Sequence, residues 1–140
     1  MDKKISIKQY YILSFTWGII MTLLGLIASV AMLITKHKPR RNQYGWYFEL
    51  KPGCSGLSLG PAAFINKGAE SVLPHEFGHS IQNCFYGPFM LVVTAWSAIR
   101  FWFREYLVAF RNKKYSDLPP YDSIWFEGLA TKLGNFYKSN

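Results

Sequence analysis

The chain has 140 residues, half of them hydrophobic and 18% aromatic, with a formal net charge of +8. This length predicts one domain, and the aromatic content is high for a soluble chain of this size. A charge of +8 is compatible with nucleic-acid binding, but the basic residues flank apolar segments at Lys3 to Lys8, Lys36 to Arg41 and Arg100 to Lys114. This placement indicates a chain that contacts a lipid bilayer and excludes a nucleic-acid-binding face.

The first apolar segment predicts a transmembrane helix in region 1–35. Tyr10 to Ile34 has 25 residues and no charge, enough to cross a hydrocarbon core of about 30 Å. The run is too long for the core of a cleaved signal peptide and is followed by basic residues, so we expect a retained anchor. Gly18 and Gly25 lie seven residues apart on one helix face and would allow another helix to approach closely.

Region 36–140 is expected to form a small catalytic unit that begins with a β-hairpin. Gly45 to Leu50 is short and aromatic, residues 51–56 are typical of a turn, and Leu57 to Ile65 can return as a second strand. Gly60-Pro61 would then be a bulge in that strand.

The motif His75-Glu76-Phe77-Gly78-His79 has the form HExxH. On a helix, His75 and His79 lie one turn apart on the same face, so both imidazoles can bind one Zn²⁺ at about 2.0–2.1 Å. Glu76 has the position of the general base of zinc metallopeptidases, which takes a proton from water that the metal activates. The motif therefore predicts hydrolysis of an amide bond.

The flanking residues favour one helix over Val72 to Tyr86. Ser71 can cap it, Pro74 suits its first turn, and Gly87-Pro88 ends it. The alternative is a surface or core helix that carries two unrelated histidines.

The next segment, about residues 89–114, is apolar and then basic. Phe89 to Ile99 is an uncharged run of 11 residues. The four basic residues that follow share an arc of roughly 80° on a helix; they are Arg100, Arg104, Arg111 and Lys114. This pattern predicts an amphipathic or re-entrant helix at anionic headgroups, and a second full span over Phe89 to Phe110 is the alternative.

A catalytic zinc site needs a third protein ligand. The candidates are Glu105, Asp117, Asp122, Glu127 and His37. We favour Glu127 because the segment from Tyr121 to Gly134 follows two prolines and suits a short helix, with Asp122 as its cap.

Other polar residues are candidates for supporting roles. Gln82, Asn83, Tyr121 and Asp122 can support the metal ligands, and Tyr121 or Tyr137 can stabilise an oxyanion. Cys54 and Cys84 are expected to be free, buried thiols.

With a glutamate on a later helix, His75 to His79 resembles the gluzincin type of zinc metallopeptidase. The membrane setting is similar to integral-membrane CAAX prenyl proteases and to small uncharacterised bacterial membrane proteins with HExGHxxQ. The resemblance covers Gly68 to Gly134 and implies His75, His79 and Glu127 as zinc ligands with Glu76 as base. The chain has Thr131 where the prenyl proteases have an aspartate, and it lacks the Asp-Gly ligand motif of site-2 proteases.

We therefore expect an α+β membrane protein: an N-terminal transmembrane helix, a β-hairpin, the HExxH helix, an interfacial helix and a C-terminal ligand helix. The expected function is that of a zinc metalloendopeptidase that cleaves peptides or membrane proteins. It would lie in a bacterial cell membrane with its active site at the cytoplasmic face, because the loop after the anchor is more basic than the N-terminus. The alternative is a catalytically inactive membrane interaction protein with a structural metal or none.

Overall fold

A computed structural model of the protein describes residues 3–51, 56–120 and 123–138. In this part the chain is α+β, with a four-stranded mixed sheet. The α-helices are α1 (Ile7–Phe15), α2 (Ile19–Ile34), α3 (Leu73–Tyr86), α4 (Met90–Phe110) and α5 (Trp125–Lys138). The strands are β1 (Arg40–Asn42), β2 (Gly45–Leu50), β3 (Gly56–Leu59) and β4 (Ala62–Asn66).

The N-terminal apolar segment is broken into two helices, so the prediction of one uninterrupted helix is wrong. The axes of α1 and α2 differ in direction by 93°. The C-terminal half of α3 holds this break: the Asn83 side-chain amide donates to the carbonyl of Gly18 over 3.2 Å, and the Trp17 indole donates to the carbonyl of Phe85 over 3.0 Å. Tertiary hydrogen bonds that the apolar pattern does not encode therefore set the bend.

Gly18 and Gly25 permit close packing, as predicted. A Cβ added to Gly25 would lie 2.1 Å from the carbonyl oxygen of Leu59, and one added to Gly18 would lie 2.5 Å from the Asn83 amide nitrogen. The neighbour at Gly25 is the end of strand β3, whereas the sequence suggested a helix. Consequently α2 packs against the sheet.

The sheet differs from the predicted hairpin. β2 pairs with β4 in parallel, whereas β3 and β4 pair antiparallel around a turn at Gly60-Pro61. Gly60 has φ +60°, a left-handed conformation that favours glycine in a turn, so these two residues reverse the chain and do not form a bulge. The strand order is β1-β2-β4-β3, which leaves β3 at an edge.

The sheet is covered on both faces. On one face Phe48, Ala62 and Phe64 pack against α2. On the other, Tyr47, Ala63 and Ile65 pack against Val72 and Leu73 at the start of α3. The sheet therefore fixes the position of α3 relative to α2.

The α3 helix runs nearly as predicted, from Leu73 to Tyr86, with Pro74 in its first turn and Gly87 after its end. Its start differs, because residues Glu70–Val72 form a 3-10 turn and the N-cap residue is Val72. The expected cap at Ser71 is therefore wrong. The α5 helix continues through Gly134 to Lys138, beyond the predicted end.

The α4 helix is continuous over 21 residues, and Met90 is its one buried residue. It ends at Phe110, so Arg111 and Lys114 lie beyond it and the predicted four-residue basic stripe is wrong in its second half. The helix is unbroken, so the chain turns back only after Phe110; whether this helix is interfacial, re-entrant or fully spanning stays a prediction.

One helical stretch, Glu70–Phe110, is long and apolar enough to cross a membrane. The pair of α1 and α2 meets the same criterion only as a bent unit. Buried core helices of soluble proteins can also be this long and apolar. In Glu70–Phe110, however, only 17% of the most apolar 18-residue segment is buried.

Candidate metal centre

The HExxH helix α3 and helix α5 cross at two glycines. A Cβ on Gly78 would lie 1.8 Å from the carbonyl oxygen of Ala130, and a Cβ on Gly134 would lie 1.8 Å from that of Pro74. No side chain fits at either point, so each helix backbone rests directly on the other. This contact brings Glu127, near the start of α5, to the histidines of α3.

Three potential ligand atoms meet at one point. The Glu127 Oε2 atom lies 3.0 Å from His75 Nε2 and 3.1 Å from His79 Nε2. The His75 and His79 rings are nearly perpendicular, at 89°, with centroids 4.8 Å apart. Ligand atoms of a tetrahedral zinc site are about 3.3 Å from each other. His75, His79 and Glu127, whose ligand atoms all lie within 4.8 Å of one another, therefore form a group that could hold a metal ion.

The hydrogen bonds of Gln82 fix the orientation of His79. The Gln82 side-chain nitrogen donates to the carbonyl of Phe126 over 2.6 Å, so its Oε1 atom faces His79 Nδ1 at 2.8 Å. Since this oxygen can only accept, His79 Nδ1 carries a proton and the neutral ring has its lone pair on Nε2. That lone pair faces a carboxylate oxygen, an arrangement that requires a cation or an extra proton between the two atoms.

Thr131 has the same supporting position for the other histidine. Its hydroxyl oxygen lies 2.8 Å from His75 Nδ1 and can accept a hydrogen bond from it. The other ring nitrogen of His75, Nε2, then faces Glu127. Thr131 and Gln82 therefore each orient one imidazole.

Ser97 is a site residue that the sequence analysis missed. Its hydroxyl donates to Glu127 Oε1, the carboxylate oxygen that the histidines do not contact. A single serine within the apolar α4 segment gives no signal in the sequence. The bond links α4 to the cluster.

The Glu127 carboxyl is almost completely buried, at 1% exposure. Burial alone raises its pKa, but the neighbouring imidazoles of His75 and His79 lower it more, so the net pKa lies well below the usual range of a glutamate. The group is therefore an anion, the form that binds a metal.

The structure separates the other predicted candidates from this cluster. The prediction that Asn83 supports a metal ligand is wrong, because its side-chain amide donates to the carbonyl of Gly18 at the break between α1 and α2. His37 is half-buried and bonds Thr35. Glu105 and Asp117 are exposed and bond Tyr115 and the Lys114 amide respectively.

Three further candidates have other outcomes. Tyr137 accepts a bond from the Ile5 amide and packs in the core, so its proposed oxyanion role is wrong. Cys84 is a free, buried thiol, as predicted. Tyr121, Asp122 and Cys54 lie outside the described residues.

The cluster opens into a cleft of about 740 Å³. Its walls are α3 and α5, the edge strand β3 and one face of α4. Glu76 lies in this cleft beside Gly56 of β3, where an added Cβ would come within 2.5 Å of Glu76 Oε1. Glu76 is therefore a second carboxyl group in the cleft, next to the cluster of His75, His79 and Glu127 but not part of it.

Comparison with protein-family models, curated proteins and solved structures finds no match for this chain.

The glycine contact predicts the effect of enlarging Gly134. Alanine normally stabilises a helix interior by roughly 1 kcal/mol relative to glycine. Here we expect Gly134→Ala to lower the free energy of unfolding by about 1–3 kcal/mol through overpacking and to reduce bound zinc. Unfolding curves and metal analysis measure both; Asn135→Ala, an exposed neighbour on α5, is the control and should change neither.

The position of Glu127 predicts that this residue, and not Asp122, is the third metal ligand. Glu127→Ala should lose zinc during dialysis, because two imidazoles alone hold the ion weakly, whereas Asp122→Ala should retain it. Metal content by atomic absorption, with folding checked by circular dichroism, distinguishes the two. Zinc loss in the Asp122 variant with retention in the Glu127 variant would reverse the assignment.

Proposed function

We propose that this protein is a membrane-bound zinc metallopeptidase with His75, His79 and Glu127 as ligands and Glu76 as general base. The supporting observation is that one carboxylate oxygen of Glu127 lies 3.0 Å and 3.1 Å from the Nε2 atoms of His75 and His79, next to a separate glutamate in an open cleft. Three protein ligands and an open side are what distinguish catalytic zinc sites from closed structural ones.

The donor set fits zinc. Imidazole nitrogens and a carboxylate oxygen are typical zinc ligands, and the Nδ1 partners Thr131 and Gln82 aim both lone pairs at one point. When bound, zinc supplies a Lewis acid that lowers the pKa of water and polarises a peptide carbonyl.

The chain's own residues perform the proton transfer. Glu76 takes a proton from the attacking water while the water oxygen bonds to the carbonyl carbon of the substrate. It then delivers that proton to the amide nitrogen of the substrate as the C–N bond breaks. The products are a carboxylate and an amine. No oxidant or further reactant is needed.

The edge strand β3 is suited to hold the substrate backbone. In an antiparallel pair, every second residue turns its N–H and C=O away from the partner strand. The outer edge of β3 lies in the cleft wall beside Glu76, so an extended peptide can add to the sheet there.

The exposed apolar surface supports a membrane location. Large apolar side chains are exposed along α2 and α4, and such exposure is typical of surfaces that contact a membrane or a partner. They include Leu23, Ile27, Val30 and Ile34 on α2 and Val92, Trp96, Ile99, Phe103 and Phe110 on α4. We propose the bacterial cell membrane, with the cleft at its cytoplasmic face.

The base assignment predicts that Glu76→Gln abolishes peptide hydrolysis. The amide cannot accept the water's proton, so kcat should fall by about 10²-fold or more, while zinc content stays near one per chain. Full activity in this variant with metal bound would exclude the proposed mechanism, and absence of both zinc and activity in the wild type would favour a membrane interaction protein.

The proposed topology predicts that single cysteines at Gln43 and Asn135 react from the same side of the membrane. Both positions are exposed, and Tyr44 and Tyr137 beside them are in contact, with ring centroids 5.9 Å apart. A membrane-impermeant thiol reagent should label them in inside-out vesicles and not in intact cells, with Cys54 and Cys84 replaced by serine. Labelling in intact cells would place the cleft outside.

A further inference from the structure

The α4 wall of the cleft is one continuous helix face. The residues that line it recur at helical spacing, in the order Met90, Val93, Thr94, Ser97, Ala98, Phe101 and Trp102. From Met90 to Phe101 this face measures about 17 Å, the length of about five residues of extended chain. An extended peptide held against β3 would share the cleft with this face of α4.

The middle of that face carries its smallest side chains, Thr94, Ser97 and Ala98, which leave a gap in the cleft wall. Ser97 contacts Glu127, so this part of the wall adjoins the metal centre. Larger side chains border this gap, with Val93 on one side and Phe101 on the other. The gap is thus a side-chain pocket beside the scissile bond.

The pocket has no charge of its own. Among the described residues that line the cleft, the ionisable ones are His75, Glu76, His79 and Glu127, and all four belong to the metal centre. A charged substrate side chain would lose its hydration there without gaining a counter-ion. An apolar side chain would bury its surface against α4.

We infer that the enzyme cleaves extended peptides with a large apolar residue next to the scissile bond, and that Ala98 on α4 sets the size of that residue. The inference rests on the proposed peptidase activity. The absence of a side chain beyond Cβ at position 98 leaves room for a leucine or phenylalanine of the substrate.

The test uses the full-length, zinc-loaded protein in detergent micelles and a set of quenched fluorescent peptides. The peptides differ at one position beside the cleaved bond, which carries Ala, Leu, Phe, Asp or Lys. For the wild type we expect kcat/KM for Leu or Phe to exceed that for Asp or Lys by at least about 100-fold and that for Ala by about tenfold.

The variant Ala98→Phe fills the pocket. It should lower kcat/KM for the Leu and Phe peptides by about tenfold or more and leave that for the Ala peptide within about twofold. The matched control is Ala95→Phe, which makes the same change at an exposed position of α4 outside the cleft lining and should keep the wild-type profile. Zinc content and helicity verify that both variants are folded.

The outcomes separate this inference from the proposed function. Hydrolysis with a preference for charged or small residues, or an Ala98→Phe profile equal to that of the wild type, overturns the inference and leaves the peptidase standing. No hydrolysis of any peptide by the zinc-loaded wild type overturns the peptidase and the inference together.

Discussion

The site depends on the direct contact of two helix backbones. At Gly78 and Gly134 a carbonyl of the other helix occupies the space that a Cβ would fill, so α3 and α5 lie closer than helices separated by side chains, whose axes are about 8–10 Å apart. A glutamate side chain is short relative to that usual spacing. At this close contact Glu127 lies 3.0 Å and 3.1 Å from the two imidazoles while its own backbone remains in a regular helix.

Each side chain of the candidate metal centre is also tied by hydrogen bonds to a segment other than its own. Gln82 connects His79 to the backbone of Phe126, Thr131 on α5 holds His75 on α3, and Ser97 on α4 holds Glu127. Because these bonds cross between helices, the relative positions of the helices and the orientations of the ligands are determined together. Such preorganisation lowers the cost of binding an ion, since little side-chain freedom remains to be lost.

The sequence predicted the parts of the molecule that depend on local pattern. His75, Glu76 and His79 lie on one helix as their spacing required, and Glu127 was found because a carboxylate within a helix-compatible segment can reach a neighbouring helix. Gln82 was also expected near the ligands. The zinc, the peptidase activity and the membrane orientation remain predictions.

The errors came from long-range interactions. The break between α1 and α2 is held by Asn83 and Trp17, whose partners are far away in the chain. The parallel pairing of β2 with β4 cannot be read from two apolar strands, because alternation specifies faces but not partners. Ser97 is an ordinary residue of an apolar helix until its neighbour is known.

The attachment of α4 has a practical consequence. This helix forms one wall of the cleft, yet Met90 is its one buried residue, and its link to the metal centre is the Ser97 hydroxyl. The same helix borders the cleft on one side and exposes large apolar side chains on the other. A detergent tail resembles the apolar side chains that we propose α4 accommodates. Under the proposed peptidase function, the choice of detergent therefore becomes a kinetic variable: amphiphiles that enter the cleft would compete with substrate and raise the apparent KM without changing kcat.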